Sequence, residues 1–262
     1  MIGKEIRLDR IRDRESKNFV IIPMDHGVSI GPVEGLRDLE STVNDIAEGG
    51  GDAVLMQKGI VSEGHRGKGR DMGLIVHINA ATSLGEPNNK VLVGTVEEAV
   101  RRGADAVSVQ VNVGSETEPQ QLQDLGKVAD ECEKYGMPLV AMMYVRGHDV
   151  DSADVENIAH ATRIGAELGA DVVKTAYTGD PDEYRQVIEG CPAPVVIAGG
   201  PKAETEREVL QDISDAMDVG ARGVAMGRNV FQRDNVPSMV NAISSIVHGG
   251  VSVDEAMEES GL

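Results

Sequence analysis

The sequence predicts a single (β/α)8 barrel. Three observations predict it: a chain of 262 residues, eight short apolar runs separated by amphipathic stretches, and a glycine-led repeat before every second run. Barrels of this kind take about 250 residues, so one domain spanning 1–262 is expected and not the two that length alone would allow.

The apolar runs fall at 19–24, 53–56, 74–78, 106–113, 139–144, 172–174, 194–198 and 223–226. They are rich in Val and Ile and apolar on both faces, as parallel strands covered by helices should be. After the first run comes Asp25-His26-Gly27-Val28, without the G-x-G-x-x-G of a dinucleotide-binding open sheet, which argues against a doubly wound fold. Helices are expected between the runs, among them 119–135, 153–168 and 204–219. In the middle one Val155, Ile158, Ala159, Thr162 and Ala166 recur at helical spacing, while Asp154, Glu156 and Arg163 lie off that stripe.

The repeat reads Gly50-Gly51-Asp52-Ala53-Val54, Gly103-Ala104-Asp105-Ala106-Val107, Gly169-Ala170-Asp171-Val172-Val173 and Gly220-Ala221-Arg222-Gly223-Val224. Each copy puts glycine where a helix ends in a left-handed residue, directly before the second, fourth, sixth or eighth run. The least regular stretch, 60–73, carries Gly64-His65-Arg66-Gly67-Lys68-Gly69-Arg70 and is basic within an acidic chain. It reads either as a flexible βα loop or as a lid that contacts an anion.

Forty-four acidic and 25 basic side chains leave a formal charge of −19. Such a balance repels nucleic acid and anionic membranes. Aromatic residues make up 2% of the chain and Trp is absent, which argues against a base-stacking nucleic-acid module. A small anionic substrate remains open, because a local Arg and backbone N–H groups can reverse the field inside a cleft. The acidic surface suits either ordinary solubility or a high-salt cytoplasm. Cys132 and Cys191 lie in separate elements without metal-ligand spacing, as expected for free thiols of a cytoplasmic protein. No segment approaches a membrane span, and residues 1–7 have no signal-peptide core.

In a barrel, the carboxyl ends of the strands face the active site. Here they carry Asp25-His26, Gln57-Lys58, His77 and Asn79, Gln110 and Asn112, Tyr144 and Arg146, Lys174, Gly199-Gly200 and Gly227-Arg228. Lys174 closes an apolar run. Inside the mouth of a barrel, burial would lower its pKa and favour the neutral amine that attacks a ketone to form a Schiff base. Lys58 also ends a run, and spacing leaves it as the rival nucleophile; either lysine could instead make an ion pair or bind phosphate. Asp25 reads as a proton carrier near the Schiff base or as a helix cap. Tyr144 reads as a proton donor or as a core tyrosine with a satisfied hydroxyl. The glycine pairs after the seventh and eighth runs, with Arg228, fit a phosphate cradle or two tight turns. His26, His65 and His77 are the only plausible metal trio, and they form no compact ligand motif.

Taken together, Pro23-Met24-Asp25-His26-Gly27-Val28-Ser29, Ala141-Met142-Met143-Tyr144, Val172-Val173-Lys174-Thr175, Val196-Ile197-Ala198-Gly199-Gly200-Pro201-Lys202 and Gly227-Arg228-Asn229-Val230-Phe231 resemble the archaeal class I aldolase family. Val145 departs from the proline associated with relatives at that position. The resemblance implies a TIM barrel in which Lys174 is the Schiff-base lysine, Asp25 the proton acceptor and Tyr144 the proton donor. Its ligand contacts fall on Asp25, His26, Gly27, Val28, Ser29, Tyr144, Val145, Arg146, Lys174, Gly199, Gly200, Gly227 and Arg228. The implied reaction is a transaldol transfer early in aromatic amino-acid biosynthesis by the 3-dehydroquinate route. It joins 6-deoxy-5-ketofructose 1-phosphate to L-aspartate 4-semialdehyde, giving 2-amino-3,7-dideoxy-D-threo-hept-6-ulosonate and hydroxypyruvaldehyde phosphate. No metal or organic cofactor is implied, and a ring-built homo-oligomer is, a decamer being one such form. Fructose-1,6-bisphosphate cleavage on the same lysine, a metal-dependent aldol reaction and a non-catalytic phosphosugar-binding barrel are the alternatives.

Overall fold

The computed structural model describes residues 1–64 and 72–262, so most of the basic glycine-rich stretch, including His65, lies outside the described residues. The strands are β1 Phe19–Pro23, β2 Ala53–Gln57, β3 Gly73–His77, β4 Asn79–Ala80, β5 Val91–Leu92, β6 Ala106–Val113, β7 Leu139–Val145, β8 Val172–Ala176, β9 Val195–Ala198 and β10 Gly223–Ala225. Eight of them close into a parallel barrel in the order β1-β2-β3-β6-β7-β8-β9-β10. Closure is made by β1 against β10, with Phe19 beside Gly223 and Ile21 beside Ala225. Each of the eight apolar runs becomes one barrel strand. The short antiparallel pair β4-β5, folded over the end of β3, was not expected from the sequence.

Alternation along the strands sorts side chains into two cores. Val20, Ile22, Val54, Val76, Val107, Val109, Val111 and Val173 face outward and pack with the helices. Phe19, Ile21, Leu55, Ile75, Val140, Met142, Val172, Val196 and Ala225 fill the barrel itself. The inward set changes character towards the carboxyl ends. On β6 it runs from Ala106 to Ser108, Gln110 and Asn112, all buried. Apolar filling below and polar side chains above place the chemistry at one end of the cylinder.

The opposite end is closed by helix α1, Ile2–Ile11, which the sequence reading did not anticipate. Its Leu8 and Ile11 enter the inner core beside Phe19 and Ile75. The glycine repeat explains how this floor is clipped. Gly50, Gly103, Gly169 and Gly220 take φ of +87°, +80°, +101° and +102°, where a side chain would be strained. The carboxylates that follow accept the N–H starting a neighbouring strand: Asp52 from Val20 (2.7 Å), Asp105 from Leu74 (3.1 Å) and Asp171 from Leu139 (2.9 Å). Asp105 and Asp171 also receive Arg10 (3.0 Å) and Lys4 (3.1 Å) from α1. The fourth copy has Arg222 in place of the acid, and its guanidinium donates to the Ser16 carbonyl instead.

The outer helices begin where their side chains satisfy free N–H groups. Asp154 accepts from Asn157 before the helix Val155–Glu167, and Thr205 with Glu208 forms a capping box before Glu206–Asp218. Among the described residues no helix is long and apolar enough to cross a membrane.

Candidate active site

The carboxyl ends of the strands surround a cavity of about 660 Å³. Lys174, on β8, is aligned with Met142 on one side and Val196 on the other, and therefore projects into the barrel. It is only 7% exposed and lines the cavity. Lys58 does not line it: its amine pairs with Glu98 at 2.9 Å on the outside of the barrel. Geometry thus separates two lysines that spacing left as rivals.

Asp25 directly precedes the short helix α2, His26–Ile30, yet its side chain makes no capping hydrogen bond there. The carboxylate instead stands in the cavity, with His26 Nδ1 at 3.8 Å and His77 Nε2 at 4.0 Å. Burial penalises its charge, but His77, His26 and Lys174 outweigh that penalty and hold the Asp25 pKa below the usual carboxylate value. His77 is 1% exposed, and burial pushes it down to about 4 despite the attraction of Asp25. Its Nδ1 lies 2.7 Å from the Ser108 hydroxyl. Burial also lowers the pKa of His26, with Lys174 and Arg228 adding to the effect.

Tyr144 stands two residues beyond Met142 on the same face of β7, lines the cavity, and its hydroxyl has no hydrogen-bond partner among the described residues. The Arg146 guanidinium lies over its ring, 4.5 Å from the centroid. The ring thus borders the cavity with the guanidinium against it.

Gly199 and Gly227 are required by close approach. A Cβ on Gly199 would stand 2.9 Å from Met226 Cγ, and one on Gly227 would stand 2.5 Å from the Pro23 carbonyl oxygen. Arg228 donates to the Gly200 carbonyl at 2.8 Å, which anchors its guanidinium at the rim. Asn229 knits the two loops together by donating to the Gly199 carbonyl (2.6 Å) and accepting from Ala203 N–H (2.8 Å). Bare backbone with one anchored arginine can receive an anion.

Of the residues expected at the site, Asp25, His26, Ser29, Tyr144, Val145, Arg146, Lys174, Gly199, Gly200, Gly227 and Arg228 line one cavity. Gly27 and Val28 do not: they sit on α2 with Val28 41% exposed. Lys90 was missed. It precedes β5, yet it is buried and lines the same cavity. In sequence it follows Pro87-Asn88-Asn89, a turn-rich context that reads as surface. Among the described residues no group of three or more His, Cys, Asp or Glu stands close enough together to hold a metal ion, and His65 falls outside them.

A closed (β/α)8 barrel with a buried lysine, a carboxylate and a phenol around one mouth defines an aldolase-type enzyme. The chain belongs to the DeoC/LacD family of aldolases, which it matches over residues 19–233. It is 47% identical to a 2-amino-3,7-dideoxy-D-threo-hept-6-ulosonate synthase of Halobacterium salinarum, over 99% of this chain and 97% of that one. A synthase of the same description from Archaeoglobus fulgidus is 42% identical, over 100% of this chain and 97% of its own. Among solved structures, an archaeal fructose-1,6-bisphosphate aldolase with its catalytic lysine covalently bound to the carbinolamine intermediate superposes with a TM-score of 0.85. It is 32% identical and covers 94% of this chain and 99% of that chain.

Proposed function

We propose that this protein is a Schiff-base transaldolase that makes 2-amino-3,7-dideoxy-D-threo-hept-6-ulosonate, early in aromatic amino-acid biosynthesis. The observation that carries this reading is Lys174, buried inside the barrel and facing the same cavity as Asp25 and Tyr144. The identity to two synthases of that description over nearly the whole chain supports this product over fructose-1,6-bisphosphate cleavage.

The Lys174 amine adds to a ketone of 6-deoxy-5-ketofructose 1-phosphate, and loss of water gives an iminium. Asp25, held anionic, accepts the proton of the hydroxyl next to the breaking bond. The C–C electrons pass into the iminium, giving an enamine and releasing hydroxypyruvaldehyde phosphate. The enamine then attacks the aldehyde carbon of L-aspartate 4-semialdehyde, and Tyr144 supplies the proton to the new alkoxide. The proton that Asp25 takes up in cleavage then passes to the Tyr144 phenolate, directly or through water, which restores both groups and leaves the cycle proton-neutral. Water finally hydrolyses the iminium and frees Lys174. Gly199, Gly200, Gly227 and Arg228 receive the phosphorylated ketose, with Ser29, His26 and Arg146 along the walls. Gly27 and Val28 act by shaping the α2 turn. The chain works in the cytoplasm as a homo-oligomer, a reading supported by the exposed Ile2 and Ile6 on α1.

Borohydride added during turnover should fix the ketose fragment to the protein, and mass spectrometry should find it on Lys174. Lys174→Ala should lose both the adduct and turnover while remaining folded. An adduct elsewhere, or none with the wild-type protein, overturns the reading. Product analysis with L-aspartate 4-semialdehyde should give the amino-heptulosonate; its absence favours the glycolytic alternative.

A further inference from the structure

The cavity is cationic within an acidic protein. Lys90, Arg146, Lys174 and Arg228 line it, against Asp25 and Asp212. The transaldol reaction brings two different anions to this space: the phosphate of the ketose and the carboxylate of the amino-acid aldehyde. The glycine-Arg228 end answers the first. Lys90 has no use in the steps above.

Lys90 is an unusual lysine. It is 6% exposed, and among the described residues no carboxylate lies within ion-pairing distance of its amine. Burial lowers its pKa, Asp25 opposes that and Arg146 adds to it, so it belongs to the electrostatics of the cavity. A largely buried cation without a paired anion is costly, and a ligand that brought the anion would offset that cost.

Its position is imposed by the hairpin that follows β3. The turn before β5 is held by Asn112 and Gln121, whose side-chain amides donate to the Asn88 carbonyl at 2.9 and 2.8 Å. Thr117 donates to Asn89 Oδ1 at 3.1 Å, and Ser83 N–H donates to the Ser29 carbonyl at 2.8 Å. Those bonds fold the hairpin over the β3-β6 side of the mouth. In the barrel order, β3 and β6 lie directly across from β9 and β10, whose loops carry the glycines and Arg228. Lys174, on β8, and Tyr144, on β7, stand on the wall between.

We propose that Lys90 binds the carboxylate of the amino-acid aldehyde when that aldehyde enters the space left by the departed phosphorylated fragment. The assignment rests on the transaldolase reading. It gives the enzyme a way to choose an anionic amino-acid acceptor over small uncharged aldehydes, which lack the group that would neutralise Lys90.

The test compares Lys90→Met, which keeps the unbranched stem, with Lys90→Arg, both alongside the wild type. Borohydride trapping of the ketose phosphate on wild-type Lys174 is done first; failure there sinks the transaldolase reading and this assignment with it. With the adduct present, Lys90→Met should raise KM for L-aspartate 4-semialdehyde by about 10- to 100-fold, the loss of one charge-assisted hydrogen bond. KM for the ketose phosphate should change by less than the assay's twofold scatter. Preference for L-aspartate 4-semialdehyde over propionaldehyde should collapse in Lys90→Met and largely return in Lys90→Arg. If Lys90→Met unfolds, Lys90→Gln takes its place: a raised KM for L-aspartate 4-semialdehyde supports the subsite, and an unchanged one overturns it. A folded Lys90→Met with unchanged acceptor KM overturns the assignment. So does a rise confined to the ketose phosphate, which would hand Lys90 to the phosphate.

Discussion

Asp25, just after β1, and His77, at the end of β3, share one buried space, so the charge on one bears on the charge of the other. A His77 held at about 4 is neutral at physiological pH, while Asp25 stays ionised. That arrangement has a stability cost in acid. The unfolded chain protonates His77 near pH 6.5 and the folded chain resists protonation down to about pH 4. Stability from this residue is therefore full above pH 6.5 and declines as the pH falls towards 4, by up to about 1.4 kcal/mol per pH unit. Half-buried Asp52 and the more exposed Asp212, both with raised pKa, act in the opposite sense and are common to wild type and variant. The difference between wild type and His77→Gln in denaturation midpoint against pH should thus shrink on going from pH 7 to pH 4.5. Parallel curves would show that His77 titrates normally.

At the scale of elements, the barrel is a cylinder that must be plugged at the end away from the chemistry. Helix α1 does this with Leu8 and Ile11, and pins itself through Lys4 and Arg10 to acids of the glycine repeat. Ile11 is wholly buried. Its truncation, Ile11→Ala, should cost about 2–5 kcal/mol in denaturant unfolding, as expected for a large-to-small change in a core. The site lies at the far end of the strands, so kcat should remain near wild type. A fall in kcat without loss of stability would mean that the floor communicates with the mouth. The hairpin β4-β5 does the complementary job at the open end, where it carries Lys90 over the cavity.

For the whole molecule the dominant fact is a charge of −19 around a cationic cavity. Surface pairs such as Arg163–Glu167 and Lys134–Asp130 neutralise a few acids and contribute little each. Most of the excess remains as self-repulsion, which salt screens over about 10 Å at 0.1 M. The melting temperature should therefore rise from low to molar KCl. An unchanged temperature would show that repulsion does not limit stability and would remove the high-salt reading of the surface.

Much of the fold was legible because it is encoded locally. Eight Val- and Ile-rich runs, and glycines at positive φ before alternate strands, are short-range signals that any stretch of chain carries by itself. The polar residues ending those runs were readable for the same reason: a strand's last inward position is fixed by its own alternation, and that placed Lys174, Tyr144 and Asp25 at a common end. What the tertiary structure alone decided concerns groups whose surroundings come from elsewhere in the chain. Closure of β1 on β10 brought His77 and Lys174 around Asp25, and left Lys58 outside with Glu98. A hairpin folded by side chains of distant β6 and the helix after it turned Lys90 from an apparent surface residue into a buried cation. Burial and field at a point are sums over all the atoms near it, and only the closed barrel states which atoms those are.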